Sequence, residues 1–432
     1  MVSLDCTLLN FSHKDFFSSV FEGYGNEFEY TSNGVFRRSE RPICPECSTR
    51  MNHNGYNTYT KQGLGSVRIG RYVCPFCRCS FEEERGFWES LKNDFFTVLN
   101  RLFQVLRVNH VSFRGISDVM DLIFPRGKDT IMNVFNESVE KIIVPPIEDV
   151  HIVHYDEQFP KRGRTTEYRL TLLDHETARS IAEELSSKKD PKTIKNFLSR
   201  HLNPEQKTFV VADLYSSNRQ VFEEFFGENL IFQYCLLHLN KRIVNDFPKN
   251  TTLKQELTKY KLLNIFYDRD AEIQFLKEII KANPEHTDQP KKWHKTKLKP
   301  FKKFLYKRKL TRRRNKLNHK QRTYLDACTK INQLMAEIDT FDKKVRKRLR
   351  KIDKNWKYFT NFYFTPSAPA TNNLIENHYS TSLKTHQKKA LRTPQGIKNH
   401  IKLSDIKKAG ILDKTGGTIL EIHQKIKHIS TN

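Results

Sequence analysis

The sequence predicts an α/β protein. It should hold a mixed sheet parted from its last helix by a long helical insertion, with a four-cysteine ribbon and a three-helix unit ahead of the sheet. Three observations carry this expectation. Two apolar, β-branched runs, Val150 to Tyr155 and Phe209 to Ala212, each lead into an acid, Asp156 and Asp213. Two Cys-x-x-Cys pairs, 26 residues apart, lie near the start. From about 247 to 365 the pattern is helical and basic, and a polar Thr371-Asn-Asn-Leu-Ile-Glu376 then opens a new helix.

With 432 residues the chain can form two or three domains with a substantial core. Its net charge of +26 makes a compact state self-repelling unless a polyanion absorbs the surplus. Nucleic acid is the partner expected, bound through phosphates and weakened by salt. An acidic membrane surface fits less well. The opening MVSLDCTLLNFSHKDFF has no basic segment followed by an apolar one. No apolar run approaches the ~20 residues that cross a bilayer. A soluble protein without a membrane partner is expected, cytoplasmic and nucleoid-associated, or nuclear in a eukaryote.

Taken in order, residues 1–40 form an N-terminal segment without clear period. Residues 41–85 read as a zinc ribbon: Cys44-Pro-Glu-Cys47 and Cys74-Pro-Phe-Cys77 are joined by strand-like segments such as Gly65 to Gly70 and can place four thiolates around a structural Zn2+. Cys79 lies close, but its spacing suits a knuckle less well. Arg50, Arg68, Arg71 and Arg78 surround the pairs and suit DNA docking. Residues 86–146 read as a helix-turn-helix domain. Trp88, Leu91, Phe95, Val98, Leu99, Leu102, Phe103 and Leu106 recur at helical steps. Ser112 is placed to cap a second helix and Asp129 a third, whose residues from Thr130 would enter a major groove. Three packed helices without DNA contact are the alternative; the charge favours DNA.

Residues 147–246 read as strand, strand, a third strand or helix start at 178–185, helix, strand, helix and strand. That is a hairpin-like meander followed by strands alternating with helices. Residues 247–365 form the basic insertion. No acid appears from Lys291 to Lys316, which favours a phosphate contact over a solvated face. An amphipathic stripe then runs from Leu325 through Ile331, Phe341 and Val345 to Ile352. Residues 366–400 carry the final helix of the sheet domain, and 401–432 form a basic tail.

A carboxylate buried without a partner costs several kcal/mol, so acids that follow apolar strands belong at a sheet rim, where water or metal can satisfy them. Asp156 is followed by Glu157, and strand alternation sends the two to opposite faces, which favours Asp156 as the ligand. Asp174 also ends a strand-like run but reads as a turn acid. Asp213 could instead be a turn or cap residue. Asn373-Leu-Ile-Glu376 also fits a capping box, which alone would explain the glutamate.

In the order Asp156, Asp213, Cys235-Leu-Leu-His238 and Thr371-Asn-Asn-Leu-Ile-Glu376, the sequence resembles DDE transposases of the ribonuclease H-like superfamily. It looks most like Mutator-like and insertion-sequence groups with a helical insertion before the glutamate. The resemblance covers nearly the whole chain. It implies a ribonuclease H-like sheet in which Asp156, Asp213 and Glu376 hold two Mg2+ (or Mn2+) ions, with Asp156 bridging them. It implies that the Cys-x-x-His, on the next strand, lies beside the active site, with His238 positioning the transition state or the DNA and Cys235 packing; a packed or hydrogen-bonded histidine is the alternative for His238. The activity implied is metal-dependent DNA cleavage and strand transfer on double-stranded DNA, at terminal inverted repeats and target DNA, by a homodimer. Two alternatives are a transposase-derived DNA-binding regulator without catalysis, and a nuclease without joining activity.

Overall fold

Alternation of apolar and polar residues builds the first sheet. Five strands, β1 (Phe28–Tyr30), β2 (Val35–Arg38), β3 (Asn52–Lys61), β4 (Gly65–Val73) and β5 (Ser80–Glu82), run in the order β1-β2-β4-β3, with β5 beside β4. Val67 and Ile69 of β4 are buried and Arg68 between them is exposed, the period of a one-sided strand. Gly70 sits where β2 crosses closely; a Cβ there would come within 2.7 Å of Arg37 Cβ. Buried Tyr72 accepts from the Arg38 N–H at 2.8 Å and donates to Glu83 at 3.1 Å, tying β2, β4 and the end of β5 together.

These are features of a computed structural model that describes residues 28–412, apart from 32, 34, 62–64, 122–124, 160–166, 289–298, 315–319, 385–390 and 392. The start of the basic run at 291–298 and the tail beyond 412 lie outside the described residues. The chain divides into two units, 1–145 with 395–432, and 146–394. The first unit continues with α1 (Gly86–Val108), α2 (Phe113–Asp121) and α3 (Lys128–Lys141). Leu99, Phe103, Ile116, Met120, Ile131, Phe135 and Val139 share one core. Ser112 Oγ accepts from the Gly115 N–H at the start of α2, as expected. Asp129 is not the cap of α3: the helix starts two residues earlier, with extended Gly127 as its N-cap and Asp129 in the first turn, where its charge still favours the helix dipole. Leu403 and Ile406, from the helix Pro394–Lys408, join this core, so the boundary drawn at residue 400 falls inside a continuous helix of the first unit.

The second unit is built on a five-stranded mixed sheet, β6 (Ile152–Gln158), β7 (Tyr168–Asp174), β8 (Ser180–Ser186), β9 (Thr208–Ala212) and β10 (Leu230–Tyr234), in the order β10-β9-β6-β7-β8. β6, β7 and β8 form an antiparallel meander, while β9 and β10 add parallel to the other side of β6. β9 is buried along its whole length, as parallel strands covered on both faces are. Helices α4 (Pro191–His201) and α5 (Ser216–Phe226) make the crossovers. Pro191 at the first position and Asp190, which accepts from the Thr193 N–H at 2.9 Å, fix the start of α4.

After β10 comes α6 (Leu236–Asp246), then the insertion: α7 (Leu253–Leu263), α8 (Asp270–Lys281), α9 (Lys299–Arg314), α10 (Tyr324–Ala336), α11 (Lys343–Lys354) and the short α12 (Trp356–Thr360). The stripe read from 325 to 352 is split. Asp342 accepts from the Lys344 and Val345 N–H groups at 3.0 Å and starts a new helix, and Leu325 stands 75% exposed, off the buried face. After the insertion, α13 (Asn373–Ser382) packs Ile375 and Tyr379 against Leu173 of β7.

Candidate metal centres

In the ribbon, each Cys-x-x-Cys makes the same backbone turn. Ser48 N–H donates to Cys44 O at 2.9 Å and Arg78 N–H to Cys74 O at 3.1 Å. Both Ser48 and Arg78 take positive φ, 55° and 64°. Cys44 N–H donates to Thr49 O and Cys74 N–H to Cys79 O, so Cys79 is the counterpart of Thr49 and not of a paired cysteine. Sγ separations are 3.5 Å for Cys44–Cys77 and 3.4 Å for Cys47–Cys74, and all four sulfurs lie within 4.8 Å of one another. A tetrahedral zinc with bonds of about 2.3 Å sets its sulfurs roughly 3.8 Å apart. The donor set and spacing are compatible with structural zinc, and all four cysteines are unbridged.

The second centre grows out of sheet register. His154 pairs with Val211 and Ala212 with Tyr234, all in parallel ladders. Two residues on, β6 therefore carries Asp156 alongside Asp213, which leaves the end of β9. Cys235 leaves β10 next to it, its N–H bonded to Ala212 O at 2.8 Å. Carboxyl ends of strands beside such a switch in direction are where open α/β sheets bind ligands. Asp213 Oδ1 is buried and meets no donor among the described residues, and so is His238 Nδ1. Burial, together with repulsion from Asp213, Glu157 and Glu376, pushes Asp156 up to about 7, against a hydrogen bond from the Glu157 N–H at 2.8 Å.

Glu376 lies in the first turn of α13, but no capping box forms there. Its carboxylate turns to Lys241 Nζ at 2.6 Å, with His238 Nε2 at 3.6 Å. Burial lowers the His238 imidazole below its usual range, while Asp213 and Glu376 pull the other way. Asp156 therefore senses both other carboxylates, although among the described residues the three are not gathered as tightly as the four thiols. Glu157 points elsewhere, accepting from Tyr155 Oη at 2.9 Å and Asn218 Nδ2 at 2.8 Å. Asp174 holds its own turn, accepting from the Thr177 N–H and Oγ1.

Sequence reasoning misplaced Cys235-Leu-Leu-His238: the strand stops at Tyr234, Cys235 is the N-cap of α6, and His238 lies in that helix's first turn. The reason is Asn372, which the chain buries completely. Its N–H donates to Cys235 Sγ at 3.1 Å, its side-chain amide donates to Tyr155 O at 2.9 Å, and its Oδ1 meets His154 Nδ1 at 2.7 Å. Leu236 N–H also donates to Ala370 O at 3.0 Å. Burial pushes the Cys235 thiol up to about 11, and its Sγ accepts from the Asn372 N–H. A second buried group holds α13 from below. Arg169 and Glu183 pair at 2.6 Å, Arg169 Nη2 donates to Ser382 Oγ at 2.9 Å, and His378 lies against both. Tyr379 Oη donates to Asp156 O at 2.8 Å, which joins the helix of Glu376 to the strand of Asp156. Lys241 could have been found from its spacing, one turn beyond His238. Nothing in the sequence marks Arg169 or Glu183, whose pairing crosses two strands.

No known protein-family profile matches the sequence. Among curated proteins, the chain is similar to a 48.3 kDa protein of insertion element ISM1 from Methanobrevibacter smithii, 24% identical over 241 residues. The match covers 52% of this chain and 57% of the relative's own length. No helix among the described residues is long and apolar enough to cross a membrane.

Proposed function

We propose that this protein is a DDE-type transposase with a ribonuclease H-like catalytic domain, acting on double-stranded DNA at the ends of a mobile element. One observation carries the reading: Asp156 and Asp213 leave adjacent strand ends together, Asp213 Oδ1 meets no donor among the described residues, and Asp156 is raised to about 7 by burial and by its acidic neighbours. Acids packed this way need a cation, and hard carboxylate oxygens suit Mg2+ or Mn2+. The meander followed by two parallel strands supports the ribonuclease H-like fold, and the insertion-element relative supports the mobile-element role.

In this reading Asp156, Asp213 and Glu376 hold two ions. Bound there, divalent metal supplies charge to the attacking and leaving oxygens of a phosphodiester. Lys241 and His238 stand at the same rim to hold phosphate oxygens, and Asn372 and Tyr379 keep the glutamate helix registered on the strand of Asp156. The ribbon and α2–α3 recognise terminal inverted repeats, and a homodimer joins two ends. Asp213→Asn tests the assignment. Wild-type protein should nick and join DNA carrying the element's ends in Mg2+, while Asp213→Asn should bind that DNA without nicking it. DNA binding without nicking in the wild type would make the protein a regulator; nicking without joined products would make it a nuclease.

A further inference from the structure

The insertion carries two strongly basic helices, and they are placed differently. α9 packs Phe301 against Leu253 and Leu276 in a small core of its own. Its Arg308 and Arg312 turn inward to buried Glu272, at 3.4 and 3.2 Å, with Arg269 at 3.7 Å. α11 instead buries Val345, Leu349 and Ile352 in the same core as Leu239 and Ile243 of α6. Arg348 pins it there by a two-pronged bond to Asp246, 2.6 and 3.0 Å. α6, capped by Cys235, is the helix that brings His238 and Lys241 to Glu376.

The outward side of α11 presents Lys343, Lys344, Lys347, Arg350, Lys351 and Lys354, all exposed. None of the six makes an ion pair with a described residue. Arg242 of α6 faces the same side: Lys351 is pushed below the usual lysine range by burial and then by Arg242, Arg348 and Lys347. Like charges held this close destabilise the bare protein and favour a bound polyanion. At 1.5 Å per residue, helices of 11 and 12 residues span roughly 16–18 Å, the length of about five base pairs.

We propose that α6 and α11 form a phosphate track that leads duplex DNA to the carboxylate centre, with Arg242, Lys347 and Lys351 as its contacts. The proposal rests on the reading of that centre as a DNA-processing site, and it moves the main backbone contact of the insertion from the run at 291–316 to 343–354. The test is the salt dependence of binding to a short fluorescein-labelled duplex, in metal-free buffer, so that cleavage plays no part. Removing three phosphate contacts in the R242A/K347A/K351A variant should flatten the slope of log affinity against log salt by about 0.9 for each contact. The K302A/K303A/K307A variant of α9 should change it less. R242K/K347R/K351R keeps the charge and should keep the slope, which separates lost contacts from lost folding. A wild-type slope in R242A/K347A/K351A, or a larger loss in the α9 variant, overturns the track. Neither result touches the Asp213→Asn assay, which judges the catalytic reading separately.

Discussion

The thiol centre and the carboxylate centre solve opposite problems. The four sulfurs come from two nearly identical turns on one small sheet, and the pairing of β3 with β4 brings those turns together so that all four lie within 4.8 Å. The three carboxylates come from two strands and a helix separated by the insertion, and they are assembled by long-range buried bonds through Asn372, Arg169 and Tyr379. Around the cysteines the packing is thin, Met51 and Tyr72 with part of Phe81, and it adds to the buried Val35, Phe36, Val67 and Ile69 of the same sheet. The sheet of the second unit has a large core and can keep acids in repulsion at its rim, with Lys241 as the neighbouring cation. The four thiols are gathered closely, whereas the Asp156 carboxylate is held under electrostatic strain by its burial and its acidic neighbours.

The largest effect that can break this contrast is on folding. Cys44→Ser should abolish zinc content and melt the ribbon, because structural zinc supplies about 10–16 kcal/mol in small zinc domains. Asp213→Asn should leave zinc content and melting of the first unit unchanged. Metal analysis together with limited proteolysis reads both. An Asp213→Asn protein that loses zinc would show that the two centres are not independent.

Next comes catalysis. Loss of a carboxylate ligand removes several kcal/mol of transition-state stabilisation, so Asp213→Asn should lower nicking by about a thousandfold or more. A smaller change in single-turnover rate would place the chemistry elsewhere.

A subtler effect concerns pH. The folded Asp156 carboxyl is raised to about 7 from an ordinary 3.8. A raised carboxyl binds its proton more tightly when folded, so it penalises stability above pH 7, and the penalty disappears as pH falls toward 4. In metal-free buffer Asp156→Asn should therefore melt above the wild type at pH 8, with the gap closing by pH 4. Added Mn2+ should raise only the wild-type melting temperature at pH 8. A gap independent of pH would mean that Asp156 is not under strain.

Asn372→Ala should cost about 1–3 kcal/mol by removing the Asn372 bonds to the Tyr155 carbonyl and to His154 Nδ1, and nicking should fall while DNA affinity holds. Smallest of all, Cys79→Ser should keep full zinc content, since Cys79 matches Thr49 in the turn geometry. Loss of zinc there would sharpen the comparison by adding a fifth sulfur to the ribbon's chemistry.

Local pattern by itself determined the paired cysteines, the helical periods of α1 and α11, and the two apolar runs that end beside Asp156 and Asp213, because each depends on neighbours a few residues away. Tertiary structure alone decided that Cys235 caps a helix, that Glu376 answers to Lys241 and not to its own backbone, and that Arg169 is buried with Glu183. These outcomes turn on which distant groups exclude water from one another. Residue spacing carries no record of that.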